Sequence, residues 1–118
     1  MQNIISLQNL NCRILTINFE DIEFPTNVLS FIDCGDCILI LLNFNQEYFG
    51  ISNRFIINYS SNVWCIDSKT NSIKWTSSSL HRTHEYFVHF DLIDKRIYAV
   101  TNKKNLYEID VNTGKISM

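Results

Sequence analysis

Apolar and polar residues alternate along most of this chain with the two-residue period that is typical of β-strands. The stretch Arg13 to Phe19 shows this alternation, and the stretch Tyr86 to Phe90 shows it again. Cys37 to Phe44 is predicted as an apolar strand, and its nearly continuous apolar sequence predicts burial on both faces. No window has a sustained helical period. The pattern therefore predicts about nine or ten antiparallel strands that are joined as consecutive hairpins.

Polar segments mark the connections between these strands. Gly35-Asp36 predicts a two-residue hairpin turn. Glu20 to Thr26, which contains the only proline, is interpreted as a connection, and Asp91 to Lys95 as a turn of the chain. Residues 45–54 are predicted as an irregular stretch and residues 55–59 as a strand. Residues 80–86 have room for one short helix.

The second half of the chain contains one pattern twice. Residues 63–75 and 106–118 align at an offset of 43 positions, and each copy predicts a short strand, a tight turn and a second short strand. Four aligned pairs are identical: Ile66/Ile109, Asp67/Asp110, Thr70/Thr113 and Ile73/Ile116. The repeat predicts an architecture of repeated antiparallel hairpins.

The turn chemistry of the two copies agrees as well. An aspartate at the first turn position can accept backbone N–H groups two or three residues further on, and a threonine can make a similar bond. Gly114 then falls where a turn with a bulge needs a positive φ. Asn71 occupies that position in the first copy, and asparagine tolerates this conformation better than most residues.

Composition indicates a single β-rich domain that spans residues 1–118. Hydrophobic residues make up 46% of the chain and charged residues 19%, which excludes a disordered chain. Alanine occurs once, at Ala99, whereas β-branched and aromatic residues are plentiful. The fold class is therefore predicted as all-β, and three arrangements of the hairpins stay open: a partial propeller, a sandwich or a half-open barrel.

The charge pattern argues against nucleic acid and membranes as partners. The formal net charge is −2, and Lys103-Lys104 is the only adjacent pair of basic residues, whereas sequence-independent nucleic-acid binding needs a basic stripe. The longest apolar run, Cys37 to Leu42, is far too short to span a membrane. No basic segment followed by an apolar stretch opens the chain, so we expect a cytoplasmic location.

The cysteines offer candidate chemistry. Cys34 and Cys37 form a CxxC, which is a feature of redox pairs and of half zinc sites, and Cys12 and Cys65 would complete a tetrahedral set. A second CxxC is missing, and so is the βαβ setting of redox motifs. We therefore expect structural cysteines beside a turn, and neither a metal nor another cofactor.

Histidines and tryptophans form two more groups. His81, His84 and His89 fall within nine residues, and a histidine pair with a carboxylate can bind a metal or transfer protons. Their order differs from that of an HExxH helix, so we expect a solvated loop that leads into a strand from which His89 faces outward. Trp64 and Trp75 are expected to pack against each other across one hairpin.

No motif indicates an enzyme. The chain has no phosphate-binding P-loop, no glycine-rich dinucleotide turn and no nucleophile elbow, and it contains three glycines in all. The residues alone predict a β-rich binding module that is not an enzyme.

Two resemblances extend this interpretation. The hairpin Val63 to Trp75 resembles the repeat of quinoprotein-type β-propellers, which runs strand, Asp-x-x-Thr-Gly turn, strand, Trp, and so does Leu106 to Ile116. Asn71 replaces the turn glycine in the first copy, and Met118 replaces the tryptophan in the second. A chain of 118 residues is too short for a complete ring, which needs about four to eight blades.

The stretch from residue 24 to 116 resembles a group of small bacterial immunity proteins, including those of contact-dependent growth inhibition systems. The resemblance is carried by Phe24-Pro25, Val28, the strand Cys37 to Leu42, Asn53-Arg54, Val63 to Trp75, Ile97-Tyr98-Ala99 and Asp110 to Lys115. It implies a non-enzymatic inhibitor that binds a cognate toxin domain, often a nuclease, and covers or distorts its active site.

An inhibitor of a nuclease needs acidic contacts, since nuclease active sites are usually basic. Our candidates for the partner-binding residues are six acids: Glu20, Asp21, Glu23, Glu47, Asp91 and Asp94. Two other hypotheses compete with the immunity protein. One is a β-repeat scaffold that self-assembles, and the other is a zinc-dependent enzyme or zinc-binding module.

Overall fold

The computed structural model describes residues 3–7, 13–43, 62–77 and 85–117. This part of the chain contains eleven strands and no helix, and all strand pairings are antiparallel. The prediction of an all-β fold is confirmed. The strands are β1 (Ile5–Leu7), β2 (Ile14–Ile17), β3 (Glu20–Glu23), β4 (Val28–Asp33), β5 (Cys37–Leu42), β6 (Val63–Asp67), β7 (Ile73–Thr76), β8 (Phe87–Ile93), β9 (Arg96–Thr101), β10 (Leu106–Ile109) and β11 (Ile116–Ser117).

The strands form three open sheets in chain order. Sheet A contains β1, β2 and β3, sheet B contains β4 to β7, and sheet C contains β8 to β11. Within each sheet, every strand pairs with its neighbours in sequence. This meander order is the simplest outcome for consecutive hairpins, because short turns bring adjacent strands together. Sheets B and C each have the four-stranded composition of a propeller blade.

The three sheets stack as layers, with sheet B in the middle. One apolar cluster joins sheet B to sheet C and includes Leu39, Leu41, Trp75, Ile97 and Tyr107. A second cluster joins sheet B to sheet A on the opposite face and includes Leu15, Phe24, Ile38, Ile40 and Trp64. All six residues of β5 are buried, which confirms the prediction of a strand covered on both faces. The arrangement is thus a sandwich-type stack with a third layer.

Sheet A contains a strand that the sequence did not predict. The segment that begins at Glu20 was interpreted as a connection, but β3 pairs with β2 over four residues, from Ile17 with Glu20 to Ile14 with Glu23. Two residues with positive φ, Asn18 (49°) and Phe19 (71°), make the turn between these strands. Strand β3 is an edge strand of the described sheet, and charged residues are common on such edges because they oppose further strand pairing.

A second boundary also differs from the prediction. Asp91 was placed in a turn, but β8 continues to Ile93 and only Asp94 and Lys95, both with positive φ, make the turn to β9. The two-residue turn at Gly35-Asp36, by contrast, is confirmed, with Gly35 at a φ of 87°.

Sheets B and C repeat one backbone unit beyond the hairpin found in the sequence. Strands β4 and β5 correspond to β8 and β9 at a distance of 59 positions, from Val28 to Phe87. Both pairs have an irregular register at the same place, between Val28 and Ser30 and between Phe87 and His89. The unequal offsets, 59 here and 43 for β6–β7, arise because the connection from β5 to β6 is longer than the connection from β9 to β10.

The turn chemistry predicted for the repeat is confirmed. The Asp67 carboxylate accepts the N–H groups of Lys69 (2.8 Å) and Thr70 (3.3 Å), and Asp110 does the same with the residues two and three positions further on, at 2.8 and 3.1 Å. Asn71 has a φ of 55° and Gly114 a φ of 77°, as the aligned positions predicted.

The two tryptophans do not pack against each other. In the register of β6 and β7, Trp64 lies opposite Thr76, and Trp75 lies opposite Cys65. Trp64 therefore points to the cluster with sheet A, where its ring meets Phe24 edge-on with centroids 5.8 Å apart. Trp75 points to sheet C. The prediction of a cross-hairpin pair was wrong because an irregularity in the register places the two rings on opposite faces.

Several predictions lie outside the described residues. They are the irregular stretch 45–54, the strand 55–59, and most of the segment 80–86 that left room for a helix. Among the residues that the structure does describe, no helix is long and apolar enough to cross a membrane.

Candidate functional site

Three of the predicted partner-binding acids are exposed on one edge strand of sheet A. Glu20, Asp21 and Glu23 all lie on β3 and are exposed, while Ile22 between them packs towards the cluster with sheet B. Because side chains alternate along a strand, Asp21 and Glu23 point away from sheet B. We call these three carboxylates the acidic surface.

Local contacts hold the acidic surface in place. The Thr16 hydroxyl donates to the Asp21 carboxylate at 2.7 Å, and the Asn71 side chain in sheet B donates to Glu20 at 3.0 Å. The Arg13 guanidinium lies 4.0 Å from the Glu23 carboxylate, and the two side chains are 36% and 64% exposed. An exposed ion pair of this kind contributes little to stability, about 0–1 kcal/mol. The carboxylates are therefore oriented by hydrogen bonds yet remain accessible to a partner.

The other predicted acids lie elsewhere. Asp91 is on β8 and Asp94 is in the turn that follows it, both in sheet C and both exposed. Sheets A and C contact opposite faces of sheet B, so these two acids and the acidic surface belong to different sides of the molecule. Glu47 lies outside the described residues. The six acids therefore do not form one surface.

Sheet C has a second candidate surface that the sequence did not single out. Its face towards sheet B is apolar, with Ile97, Ala99, Tyr107 and Ile109 in the cluster. Its other face, which we call the outer face of sheet C, is formed by the alternate residues: Asp91, Arg96, Tyr98, Val100, Leu106 and Glu108. Within the described part of the chain, no sheet covers this face.

The outer face of sheet C corresponds position by position to a face that is covered in sheet B. Leu39 and Leu41, which pack on sheet C, correspond to Tyr98 and Val100 at the 59-residue distance. Val63 and Cys65, also packed there, correspond to Leu106 and Glu108 at the 43-residue distance. The alternation of residue types along one strand does not tell which of its two faces a neighbouring sheet covers.

Two exposed pairs of side chains border the outer face of sheet C. The Arg96 guanidinium lies 3.6 Å from Glu108, and the His89 ring lies 3.0 Å from Asp91. His89 is exposed, as predicted, whereas His81 and His84 lie outside the described residues. A centre with a tyrosine and aliphatic side chains and a charged border is the usual composition of a protein–protein interface.

The cysteines of sheet B lie on the face that meets sheet C. Beside the Gly35-Asp36 turn, Cys37 is buried and Cys34 is half-buried, so the prediction of buried cysteines there is confirmed for Cys37. Cys65, on β6, is buried as well. Cys12 lies outside the described residues. Across residues 3–7, 13–43, 62–77 and 85–117, no group of three or more His, Cys, Asp or Glu side chains is arranged to hold a metal ion.

The described residues define a protein of stacked antiparallel β-sheets with two exposed candidate surfaces. The sequence belongs to the DUF7957 family, a domain of unknown function, whose family model matches residues 5–118. No curated protein and no solved structure matches the chain.

Proposed function

We propose that this chain is an immunity protein that binds a cognate toxin domain, a nuclease, and covers its active site. The observation that carries the proposal is the acidic surface, where three carboxylates lie on one exposed edge strand. A nuclease site is basic because it binds the phosphates of nucleic acid, and an acidic inhibitor can occupy the same groups. The resemblance of residues 24–116 to small immunity proteins supports the same function.

The geometry narrows the predicted interface. Sheets A and C lie on opposite sides of sheet B, so one interface with the toxin domain would use the acids of one sheet only. We propose that Glu20, Asp21 and Glu23 form this interface. Asp91 and Asp94 then do not contact the toxin domain. This choice converts the six-residue prediction into two sets that can be compared in one experiment.

The test is calorimetric titration with the C-terminal toxin domain encoded by the gene immediately upstream. We expect a one-to-one complex with nanomolar affinity. Reversing the acidic surface (Glu20→Lys, Asp21→Lys, Glu23→Lys) should weaken binding by about 2–5 kcal/mol, because oppositely charged contacts are replaced by like-charged ones. The matched control reverses Asp91 and Asp94 on sheet C and should bind as the unchanged protein does.

Each alternative result has a distinct meaning. If only the sheet C variant loses affinity, the proposed interface is wrong but the function stands. If the unchanged protein produces no heat and does not co-elute with the toxin domain, the immunity function is rejected. Circular dichroism of both variants shows whether a loss of binding reflects a loss of folding.

The outer face of sheet C favours a second function, a non-catalytic β-repeat scaffold that self-assembles. This face corresponds to the covered face of sheet B, and it retains a tyrosine and aliphatic side chains at its centre. A stack that continues from one copy to another would cover it, as in repeat proteins whose terminal units need covering or polar capping.

Light scattering coupled to size-exclusion chromatography tests this second function. A scaffold should elute as a discrete oligomer, and Leu106→Asp should convert it into monomers. Phe19→Asp is the control, because Phe19 is also an exposed apolar residue (82%) but lies in the turn of sheet A. A monomer at all concentrations would exclude self-assembly through this face.

A further inference from the structure

Three thiols meet at one end of the interface between sheets B and C. Cys34 and Cys37 flank the Gly35-Asp36 turn, and Cys65 lies on β6 beside β5. Cys65 lies diagonally across the β5–β6 pair from Cys37, and the Cys34 thiol lies 4.0 Å from the Ile32 carbonyl oxygen. All three are free cysteines, not disulfides. The pairing of β5 with β4 and with β6 within sheet B thus brings together thiols from two separate parts of the sequence.

A cavity of about 350 Å³ opens beside these thiols. Cys34 and Cys37 form part of its wall, together with the side chains of Lys74 on β7 and Lys95 in the turn of sheet C. The cavity is large enough for a small molecule. Its wall includes Lys74 and Lys95, whose positive charges favour a thiolate, and Asp36, whose negative charge opposes it. The half-buried Cys34 and Cys37, of which 4% is exposed, both border this cavity and are the thiols that a small reagent meets there.

The turn that presents the thiols is held from several sides. The Gly35 carbonyl accepts the Ser68 hydroxyl and the Asn3 side-chain amide, each at 2.8 Å, and the Gly35 N–H donates to the Asp33 carboxylate at 2.9 Å. These contacts fix the hairpin, so Cys34 and Cys37 remain side by side with their side chains on one face of the sheet.

We propose that Cys34 and Cys37 form a reactive dithiol site, which a small hydroperoxide oxidises to a disulfide across the β4–β5 hairpin. The Cys37 thiolate attacks the terminal oxygen of the hydroperoxide, and the O–O bond breaks. The leaving hydroxide or alkoxide takes a proton from solvent, and Cys37 becomes a sulfenic acid. The Cys34 sulfur then attacks the Cys37 sulfur, the S–O bond breaks, and the hydroxide leaves as water with the proton of the Cys34 thiol.

Strand geometry selects Cys34 rather than Cys65 as the second thiol. Cys34 lies opposite Cys37, and its N–H donates to the Cys37 carbonyl at 2.9 Å. Hydrogen-bonded partners in antiparallel strands have Cα atoms about 5.5 Å apart, within the range of disulfides. Cys65 pairs with Leu39, so it is a diagonal neighbour of Cys37 at about 7–8 Å, which is at or beyond the disulfide limit.

The electrostatics of the site agree with these roles. Hydrogen bonds from the Cys34 and Cys65 thiols lower the pKa of Cys37, with a further contribution from Lys74, and together they outweigh the opposing effect of burial. The same hydrogen bond to Cys37 raises the pKa of Cys34, and burial adds to this effect. Cys37 is thus the thiol that attacks, and Cys34 keeps its proton until the second step.

The experiment oxidises the full chain and locates the product. The reduced protein, in a Cys12→Ser background, is treated with one equivalent of hydrogen peroxide and alkylated, and the peptides are analysed by mass spectrometry. We expect the loss of two hydrogens and of two alkylatable thiols within the peptide that contains Cys34 and Cys37, both restored by dithiothreitol. Full alkylation of both residues, or a disulfide that includes Cys65, would overturn the proposal.

Two variants separate the roles of the thiols. Cys34→Ser should stop at the sulfenic acid, which a dimedone probe traps at Cys37, whereas Cys65→Ser should still form the disulfide. Lys74→Gln should slow the reaction with peroxide several-fold, while Lys69→Gln, on the same hairpin but outside the cavity wall, should not. Equal reaction rates for the two lysine variants would show that the charge of Lys74 does not assist the reaction of Cys37 with peroxide. Circular dichroism confirms that each variant is folded.

Discussion

Sheets B and C share one backbone unit but lie in different surroundings. In sheet B the positions that face sheet C are apolar and fully buried, as at Leu39, Leu41 and Val63. The corresponding positions of sheet C carry Tyr98, Val100 and Leu106, which are half-buried or exposed. The largest difference in polarity is between Cys65 in sheet B and Glu108 at the corresponding position of sheet C. Both sheets have the same strand register and the same turn geometry, so the backbone unit forms whether or not a face is buried. The residue types on each face, in contrast, change with burial.

The comparison predicts that a leucine-to-alanine substitution lowers the free energy of unfolding by different amounts in the two sheets. Leu39→Ala should destabilise the fold by about 2–5 kcal/mol, because it opens a cavity between two sheets. Leu106→Ala removes the same atoms from a side chain that is 57% exposed and should change stability by no more than about 0.5 kcal/mol. Urea unfolding of the two variants measures the difference. Equal losses would show that the outer face of sheet C is covered in solution.

Two equivalent asparagines sharpen the comparison. Asn62, just before β6, is fully buried and bridges the sheets, because its side chain donates to the carbonyls of Leu42 (3.0 Å) and Phe87 (2.7 Å) and accepts the Phe87 N–H (3.0 Å). Asn62→Ala leaves these groups without that partner and should cost about 2–4 kcal/mol.

Asn105, just before β10, is the matched control. Its side chain donates to the Glu85 carboxylate at 2.7 Å, and the Thr101 hydroxyl donates to the same oxygen at 2.6 Å. Since Glu85 keeps that partner, Asn105→Ala should cost about 1 kcal/mol. Thermal unfolding of both variants gives the ranking, and a larger loss for Asn105→Ala would contradict the bridging role of Asn62.

The turn of the repeat provides a third test. A Cβ at Gly114 would lie 2.5 Å from Cε3 of Trp75, whose indole N–H donates to the Val111 carbonyl at 2.9 Å. Gly114→Ala therefore adds a steric clash to the cost of a positive φ. Gly35→Ala is the control, because Gly35 also has a positive φ but its Cβ would meet nothing within 4 Å.

We expect Gly35→Ala to cost about 1–2 kcal/mol for its backbone conformation alone. Gly114→Ala should cost about 1–3 kcal/mol more, because the ring of Trp75 must move. The difference between the two variants in denaturant unfolding isolates the contact between the sheets. Equal costs would show that Trp75 adapts without loss of stability.

The smallest effect concerns the pH dependence of the first turn. Hydrogen bonds from the N–H groups of Lys69 and Thr70 lower the pKa of Asp67 below its ordinary value of 3.8. A carboxylate with a lowered folded-state pKa stabilises the protein above 3.8, and this contribution is lost as the pH falls through the folded-state pKa. Asp67→Asn should therefore reduce stability at neutral pH but not in strong acid. Urea midpoints across this range measure it, and a constant difference would contradict the assignment.

Local chemistry explains which features could be predicted. The Asx turns at Asp67 and Asp110, the positive φ at Asn71 and Gly114, and the buried strand β5 all depend on residues close together in sequence. Strand β3 was missed because its only apolar residue, Ile22, gives no alternation, and its position depends on pairing with β2. The opposite directions of Trp64 and Trp75 depend on a register irregularity that a pattern of residue types does not reveal.

The candidate surfaces were predictable only in part. Exposure of the acids on β3 follows from their charge, but their separation from Asp91 and Asp94 follows from the order in which the sheets stack. The cluster of Cys34, Cys37 and Cys65 was also predictable only in part. The CxxC was visible in the sequence, whereas the approach of Cys65 required the pairing of β5 with β6, and the approach of Lys95 required sheets B and C to stack.

The sequence by itself determined the all-β class, the repeated hairpin and the chemistry of its turns, since alternation, turn residues and side-chain capping act within a few positions. Only the tertiary structure decided which faces are covered, which acids share a surface and which thiols meet. Those outcomes depend on strand pairing and on packing between sheets, both of which join residues that are far apart in the chain, and burial against a neighbouring sheet has no local signal in the residues that it covers.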